Sequence, residues 1–132
     1  MKIVLDVNIL LSALLFPKSI ISDLVNKIAK EYNLILSNTI IDEMKAVVAK
    51  KFPSKTEVLG DFFARIAFDY QFIPESYLQN FKAEISDPKD KHVLASAFFT
   101  QAEIIITGDN HFFERAYEWI KIMRPYEFLI KY

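Results

Sequence analysis

The chain alternates short, wholly apolar runs with longer stretches in which apolar residues return every three or four positions. Residues 3–5 (IVL) are β-branched or aliphatic on both faces, as a buried central strand requires. Residues 8–16 (NILLSALLF) then predict a helix with Asn8 at its N-cap and Pro17 ending it. Residues 20–29 place Ile20, Ile21, Leu24, Val25 and Ile28 at helical spacing, and 34–37 (LILS) predicts a second strand. In 39–51, Ile40, Met44, Val47 and Val48 share one helical face, and Pro53 closes the segment. A helix over 56–69 and a brief edge strand over 71–74 follow. The second half predicts a helix over 88–101, a strand over 103–107, a helix from 110 to about 119, a strand over 120–123 and a last helical turn from Pro125. Strands separated by helices imply a parallel sheet covered on both faces. The expected fold class is α/β: a three-layer α/β/α sandwich around a central, mostly parallel sheet of four to five strands. At 132 residues the whole chain, 1–132, is read as a single domain.

Composition narrows the class. The sequence is 52% hydrophobic and 25% charged with two glycines and five prolines, so a folded chain without linkers is expected. It has no cysteine, which excludes disulfides, thiolate metal sites and cysteine nucleophiles and suits a reducing, cytoplasmic setting. The apolar stretch 9–16 is interrupted by Ser12 and follows an acid, so neither a span of roughly 20 residues nor a secretory signal is expected. A net charge of -1 gives no general support to nucleic-acid binding, which must come from a local site.

Local sites are suggested by acids in apolar surroundings. In an open parallel sheet, ligands collect beyond the carboxyl ends of the strands. Asp6 ends the first strand, and Asp109, in 107–109 (TGD), ends the strand that begins at 103. Each acid can cap a helix, an interaction worth about 1 kcal/mol. For Asp6 the nearer Asn8 is an equally good cap, which leaves the carboxylate for another purpose. On a wheel of about 100° per residue with Asp90 at zero, Leu94, Ala97 and Phe98 fall at about 40°, 340° and 80°, so Asp90 points with the core, whereas His92 at about 200° points away. Asp87, Pro88 and Asp90 also have the pattern of a capping box, with Asp87 as the cap. Relative to Ile40, Glu43 falls at about 300°, on the margin of the apolar stripe, and Asp42 at about 200°, in solvent.

Asp6, Glu43, Asp90 and Asp109 can therefore lie on one edge. Carboxylates so gathered raise one another's pKa unless a cation neutralises them, and a hard ion with oxygen ligands, Mg²⁺ or Mn²⁺, suits them. Zinc is disfavoured by two histidines and no cysteine. Carboxylate-bound Mg²⁺ serves phosphate chemistry, and without a Gly-rich phosphate loop the leading reaction is hydrolysis of a phosphodiester.

These motifs resemble a known family. Residues 4–15 (VLDVNILLSALL), Glu43 in the third predicted helix, 87–97 (DPKDKHVLASA) and 105–113 (IITGDNHFF) look like the four acidic motifs of PIN domains, and 125–129 (PYEFL) is similar to the ending of a branch related to the VapC toxins. The resemblance covers essentially the whole chain. It implies a metal-dependent ribonuclease with the first strand central, beside the TGD strand. Asp6, Glu43, Asp90 and Asp109 would be the four metal-binding catalytic acids, supported by Asn8, Ser12, Thr107 and the capping Asp87. A water activated by Mg²⁺ or Mn²⁺ would attack RNA. It further implies a homodimer and a cognate antitoxin that covers the acidic groove. One departure is Lys89, where relatives often carry another acid; with Lys91 it could meet RNA phosphates or simply begin an exposed helix.

Three alternatives are weaker. A haloacid-dehalogenase-type phosphatase needs an acid two residues after the first, where Asn8 stands. A receiver domain needs adjacent acids after the first strand and an acid after the third, which VLDVN and QFIP do not supply. A non-catalytic binding module of the same fold would have to use the aromatic residues between Phe62 and Phe81, for which core packing is the default role.

Overall fold

The computed structural model describes residues 1–82, 85, 88–118 and 120–132. Five strands form one sheet: β1 (Lys2–Leu5), β2 (Asn33–Ser37), β3 (Asp69–Gln71), β4 (Ile104–Ile106) and β5 (Lys121–Met123). Their order is β3-β2-β1-β4-β5, and every pairing is parallel. Between them run α1 (Val7–Leu15), α2 (Ile20–Glu31), α3 (Asn38–Lys51), α4 (Thr56–Arg65), α5 (Glu75–Asn80) and α6 (Lys91–Thr100), and α7 (Pro125–Lys131) closes the chain. Ile3, Val4 and Leu5 of β1 are all fully buried, as are Ile35 and Leu36 of β2 and Ile105 and Ile106 of β4, so the middle of the sheet is covered on both faces. This is the expected α/β/α sandwich.

The strand order carries the functional consequence. The chain steps from β1 through β2 to β3 on one side, then returns across the sheet to β4 and β5 on the other. The direction therefore reverses between β1 and β4, and the connections there diverge and leave a crevice at the carboxyl ends of those two strands.

The elements depart from the sequence-based expectation in five places. The helix expected over 88–101 opens as a 3-10 turn, Pro88–Asp90, and is α-helical only from Lys91. The helix expected over 56–69 ends at Arg65, after which Ile66 is extended. The edge strand lies at Asp69–Gln71 instead of 71–74, because Asn38 takes over the backbone beyond it: its Oδ1 accepts from Ile73 N at 2.7 Å and its Nδ2 donates to Ile73 O at 3.3 Å. The short helix α5 was not expected. The helix expected from 110 to about 119 is only a 3-10 turn, Asn110–Phe113, since Arg124 holds Asn110 and the Phe113 ring while Tyr117 bridges Ile120, which keeps the segment along the sheet. Trp119 and Asp87, and with Asp87 the expected capping box, lie outside the described residues.

Among the described residues no single helix is long and apolar enough to cross a membrane. The pair α1 and α2 meets that test only together, across a bend of 113°, and most of their apolar residues lie in the core.

Candidate metal centre

The β1–α1 junction positions Asp6. Its N–H makes the last sheet bond, to Ile106 O at 3.0 Å, while its own carbonyl already accepts from Ile9 and Leu10, so the strand becomes a helix without a loop. Asp6, and not Asn8, thus occupies the N-cap position, but its side chain makes no capping hydrogen bond. The backbone geometry chose this cap because sheet and helix share that one residue. The carboxylate is left for the crevice, as expected from the sequence, though for a different reason.

Asp6 is buried, and Thr107 Oγ1 donates to its Oδ2 at 2.8 Å. The same hydroxyl accepts from Asp109 N at 3.0 Å. Thr107 therefore ties the end of β1 to the loop after β4. Burial pushes the Asp6 pKa up; the Thr107 hydrogen bond opposes this, and the negative charges of Asp109 and, less strongly, Glu43 add to the rise. The two charges register at Asp6 because all three acids share the crevice.

Asp109 is the N-cap of the 3-10 turn after β4, as one of its readings expected. Its Oδ1 accepts from His111 N at 2.9 Å and caps the 3-10 turn, while the carboxylate still faces the crevice. Asp90 is buried, as expected, although it ends a 3-10 turn, Pro88–Asp90, and stands at the N-cap of α6 instead of inside the helix. The imidazole of His111 sits between them, its Nδ1 3.3 Å from Asp109 Oδ1 and 3.6 Å from Asp90 Oδ2.

Glu43 is half-buried on α3 and Asp42 is exposed, in agreement with their phases. The expectation for His92 fails. It turns to α3, with Nε2 3.1 Å from Glu43 Oε1 and Nδ1 3.1 Å from Thr39 Oγ1. The direction away from the core stripe of α6 is not solvent here, because α3 packs against α6. Around Thr39 the polar chain continues through Ser37 Oγ, 2.9 Å away, to Ser96 Oγ, a further 2.8 Å. A neutral imidazole with its proton on Nε2 would donate to Glu43 and accept from Thr39.

The donor set suits a divalent cation. One ligand atom from each of Asp90, Asp109 and His111 can be chosen so that all lie within 4.8 Å of one another. Adjacent corners of an octahedron with bonds of about 2.1 Å are about 3 Å apart, close to the 3.3 and 3.6 Å seen here. His111 Nδ1 is moreover buried without a hydrogen-bond partner among the described residues, an arrangement that costs energy unless something coordinates it.

The family model of the PIN domain matches residues 2–111. The chain belongs to the PIN domain family. Solved structures give the same fold. The VapBC2 complex from Rickettsia felis, bound to a DNA fragment from its promoter, contains a chain with a TM-score of 0.71 at 16% identity, the match covering 94% of this PIN domain and 98% of that chain. DNA-bound VapBC from Salmonella typhimurium gives 0.68 at 15% identity, covering 95% and 98%. FitAB bound to the IR36 DNA fragment gives 0.59 at 22% identity, covering 94% and 95%. No curated protein matches.

Within this PIN domain, the side chains singled out from the sequence separate into two groups. Asp90 and Asp109 converge with His111, Asp6 is tied to Asp109 through Thr107 and feels its charge and, more weakly, that of Glu43, and the ligand atoms that lie within 4.8 Å of one another come from Asp90, Asp109 and His111. Asn8 is exposed and Ser12 half-buried, and neither side chain hydrogen-bonds an acid among the described residues. Sequence reasoning missed His92, His111, Thr39 and Arg124. Arg124 sits at the start of α7, its Nη1 donating to Gly108 O at 3.2 Å, its Nη2 to Asn110 Oδ1 at 2.6 Å, and its guanidinium 4.2 Å from the Phe113 ring centroid. It braces the loop that carries Asp109 and His111. The Asp-x-His spacing of 109–111 just beyond a strand was the available signal for His111.

Proposed function

We propose that this PIN domain is a Mg²⁺- or Mn²⁺-dependent endoribonuclease, and that it is the toxin of a type II toxin–antitoxin pair. The observation that carries this reading is the gathering of Asp90, Asp109 and His111 within ligand distance of one another beside buried Asp6, at the reversal point of a parallel sheet. Asp6, Asp90 and Asp109 would hold the ion, with Glu43 facing them. A divalent cation bound there supplies positive charge for the phosphoryl oxygens and makes a water more acidic.

The chain's own residues divide the remaining work. Thr107 fixes one oxygen of Asp6 and the backbone of Asp109 together, so both acids keep their spacing as substrate enters. Asp6, buried and held through Oδ2 by the Thr107 hydroxyl, would offer its other oxygen to the ion. His92 holds Glu43 at the opposite wall. Lys89 and Lys91 flank Asp90 in sequence and can meet RNA phosphates.

The toxin assignment is supported by the shared fold with chains of VapBC and FitAB complexes, which argues for a cognate antitoxin seated over the acidic groove. A cytoplasmic homodimer completes the proposal. The test is cleavage of labelled RNA in Mg²⁺, Mn²⁺ or EDTA by the wild type, Asp6→Asn and Asp90→Asn. Metal-dependent cutting that each variant reduces by more than about a hundredfold is expected. No cleavage, or equal cleavage by the variants, overturns the hydrolase. Inhibition by the product of an adjacent open reading frame tests the toxin, and a monomer in sedimentation at micromolar concentration removes the dimer.

A further inference from the structure

We propose that His111 is a direct nitrogen ligand of this centre through Nδ1, and that the mixed nitrogen and oxygen donor set selects a first-row transition ion, Mn²⁺, over Mg²⁺. The inference rests on the reading of Asp90 and Asp109 as metal ligands and extends it to the identity of the ion. Its basis is the placement of the imidazole. The backbone N–H of His111 is used by the Asp109 cap at 2.9 Å, which fixes the start of the side chain. The ring then brings Nδ1 to 3.3 Å from one carboxylate and 3.6 Å from the other, and the atom is buried with no hydrogen-bond partner among the described residues.

An imidazole nitrogen matters little to Mg²⁺, which is hard, demands oxygen ligands and keeps its own waters. It matters to first-row ions, whose affinity for nitrogen donors exceeds that of Mg²⁺ and which are chosen among themselves mainly by geometry and availability. A carboxylate in place of His111 would complete an all-oxygen site. The histidine does not, and that difference decides the ion. Purely electrostatic use of the ring, as an imidazolium that neutralises the two acids, predicts the opposite response to its removal: a competing cation would be lost and metal would bind more tightly.

The experiment is titration calorimetry of the intact protein with Mn²⁺ alone and with Mg²⁺ alone, joined to pulsed electron paramagnetic resonance of the Mn²⁺-loaded protein. Wild type, His111→Ala, His111→Asp, His92→Gln and Asp109→Asn are compared, with thermal melts in EDTA to show that each is folded. The expected result is tighter binding of Mn²⁺ than Mg²⁺ and a nitrogen hyperfine signal. That signal is lost in His111→Ala and kept in His92→Gln, an assignment possible because the chain has only two histidines. His111→Ala weakens Mn²⁺ by at least about tenfold and leaves Mg²⁺ nearly unchanged, while His111→Asp recovers Mn²⁺ binding and strengthens Mg²⁺ binding, so that the preference is lost. Mn²⁺ binding that depends on Asp109 yet shows no nitrogen signal, or that tightens in His111→Ala, overturns this inference and leaves the nuclease reading standing. Failure of the wild type to bind either ion, or binding untouched by Asp109→Asn, overturns both.

Discussion

The two walls of the acidic crevice are built on opposite terms. On the α3–α6 wall, Glu43 is held by His92, His92 by Thr39, and Thr39 by Ser37 and Ser96. Each of these five side chains has a partner within the protein. On the β4 wall, Asp109, joined there by Asp90 from the start of α6, faces an imidazole nitrogen that is buried without a hydrogen bond among the described residues. Leaving a buried polar atom unmatched costs about 1–3 kcal/mol, whereas a completed network rigidifies what it contains. The first wall is finished by folding and the second only by a ligand, which is the pattern of a binding site mounted on a stiff support.

That contrast is most easily broken at Asp109. Asp109→Asn keeps a good capping residue, so folding should survive, but RNA cleavage is expected to fall by more than about a hundredfold. Glu43→Gln, on the finished wall, should lose only about tenfold. Equal losses in a side-by-side cleavage assay would erase the distinction.

His92→Ala removes the support without touching the β4 wall. Cleavage should drop by about tenfold through the loosened Glu43, and His92→Gln should recover part of it. The urea midpoint should report a cost of about 1 kcal/mol for the broken network. A stability loss with full cleavage would make the network purely structural.

Arg124→Ala probes the brace behind the other wall. The guanidinium is half-exposed, so its hydrogen bonds to Gly108 and Asn110 and its contact with Phe113 should together contribute only about 1 kcal/mol, read as a lower urea midpoint. Arg124→Lys should not restore it, because an ammonium cannot span both acceptors and lie flat on the ring. Full recovery by lysine would reduce the brace to simple charge.

At Asp6 the expected effect on stability has the opposite sign. Its folded pKa lies above the ordinary 3.8, so the folded state holds this proton more tightly than the unfolded chain does. Stability is unaffected by Asp6 below its unfolded pKa, declines as pH rises from there through the folded pKa, and carries the full penalty above it. Asp6→Asn, still able to accept from Thr107, should therefore raise stability by about 1 kcal/mol at pH 7 while abolishing cleavage, and the gain should shrink as the pH falls toward 3.8. Saturating Mn²⁺ should reverse the ranking by stabilising the wild type alone. An Asp6→Asn melting temperature equal to or below the metal-free wild type at pH 7 would refute the burial argument.

The sequence alone determined the α/β class, the central first strand, most helices and the place of Asp6 and Asp109 just beyond strand ends, because each depends on local periodicity or on the transition from a strand to a helix. Strong apolar stripes at residues 20–29 and 39–51 leave little choice of element, and an acid such as Asp6 at the end of an apolar strand has few ordinary explanations. Tertiary structure decided what depends on neighbours distant in the chain. Asn38, reaching Ile73, set where β3 stops; Arg124 and the bridge at Tyr117 turned an apparent helix into a 3-10 turn. A helical wheel places His92 relative to its own helix only, so the presence of α3 on its outer side, and with it the link to Glu43, was outside its reach. His111 lay in plain view two residues after Asp109, yet only the approach of Asp90, twenty-one positions earlier, gives its nitrogen something to share. Periodicity records which way a side chain leaves its own element; the packing of elements decides what it meets there.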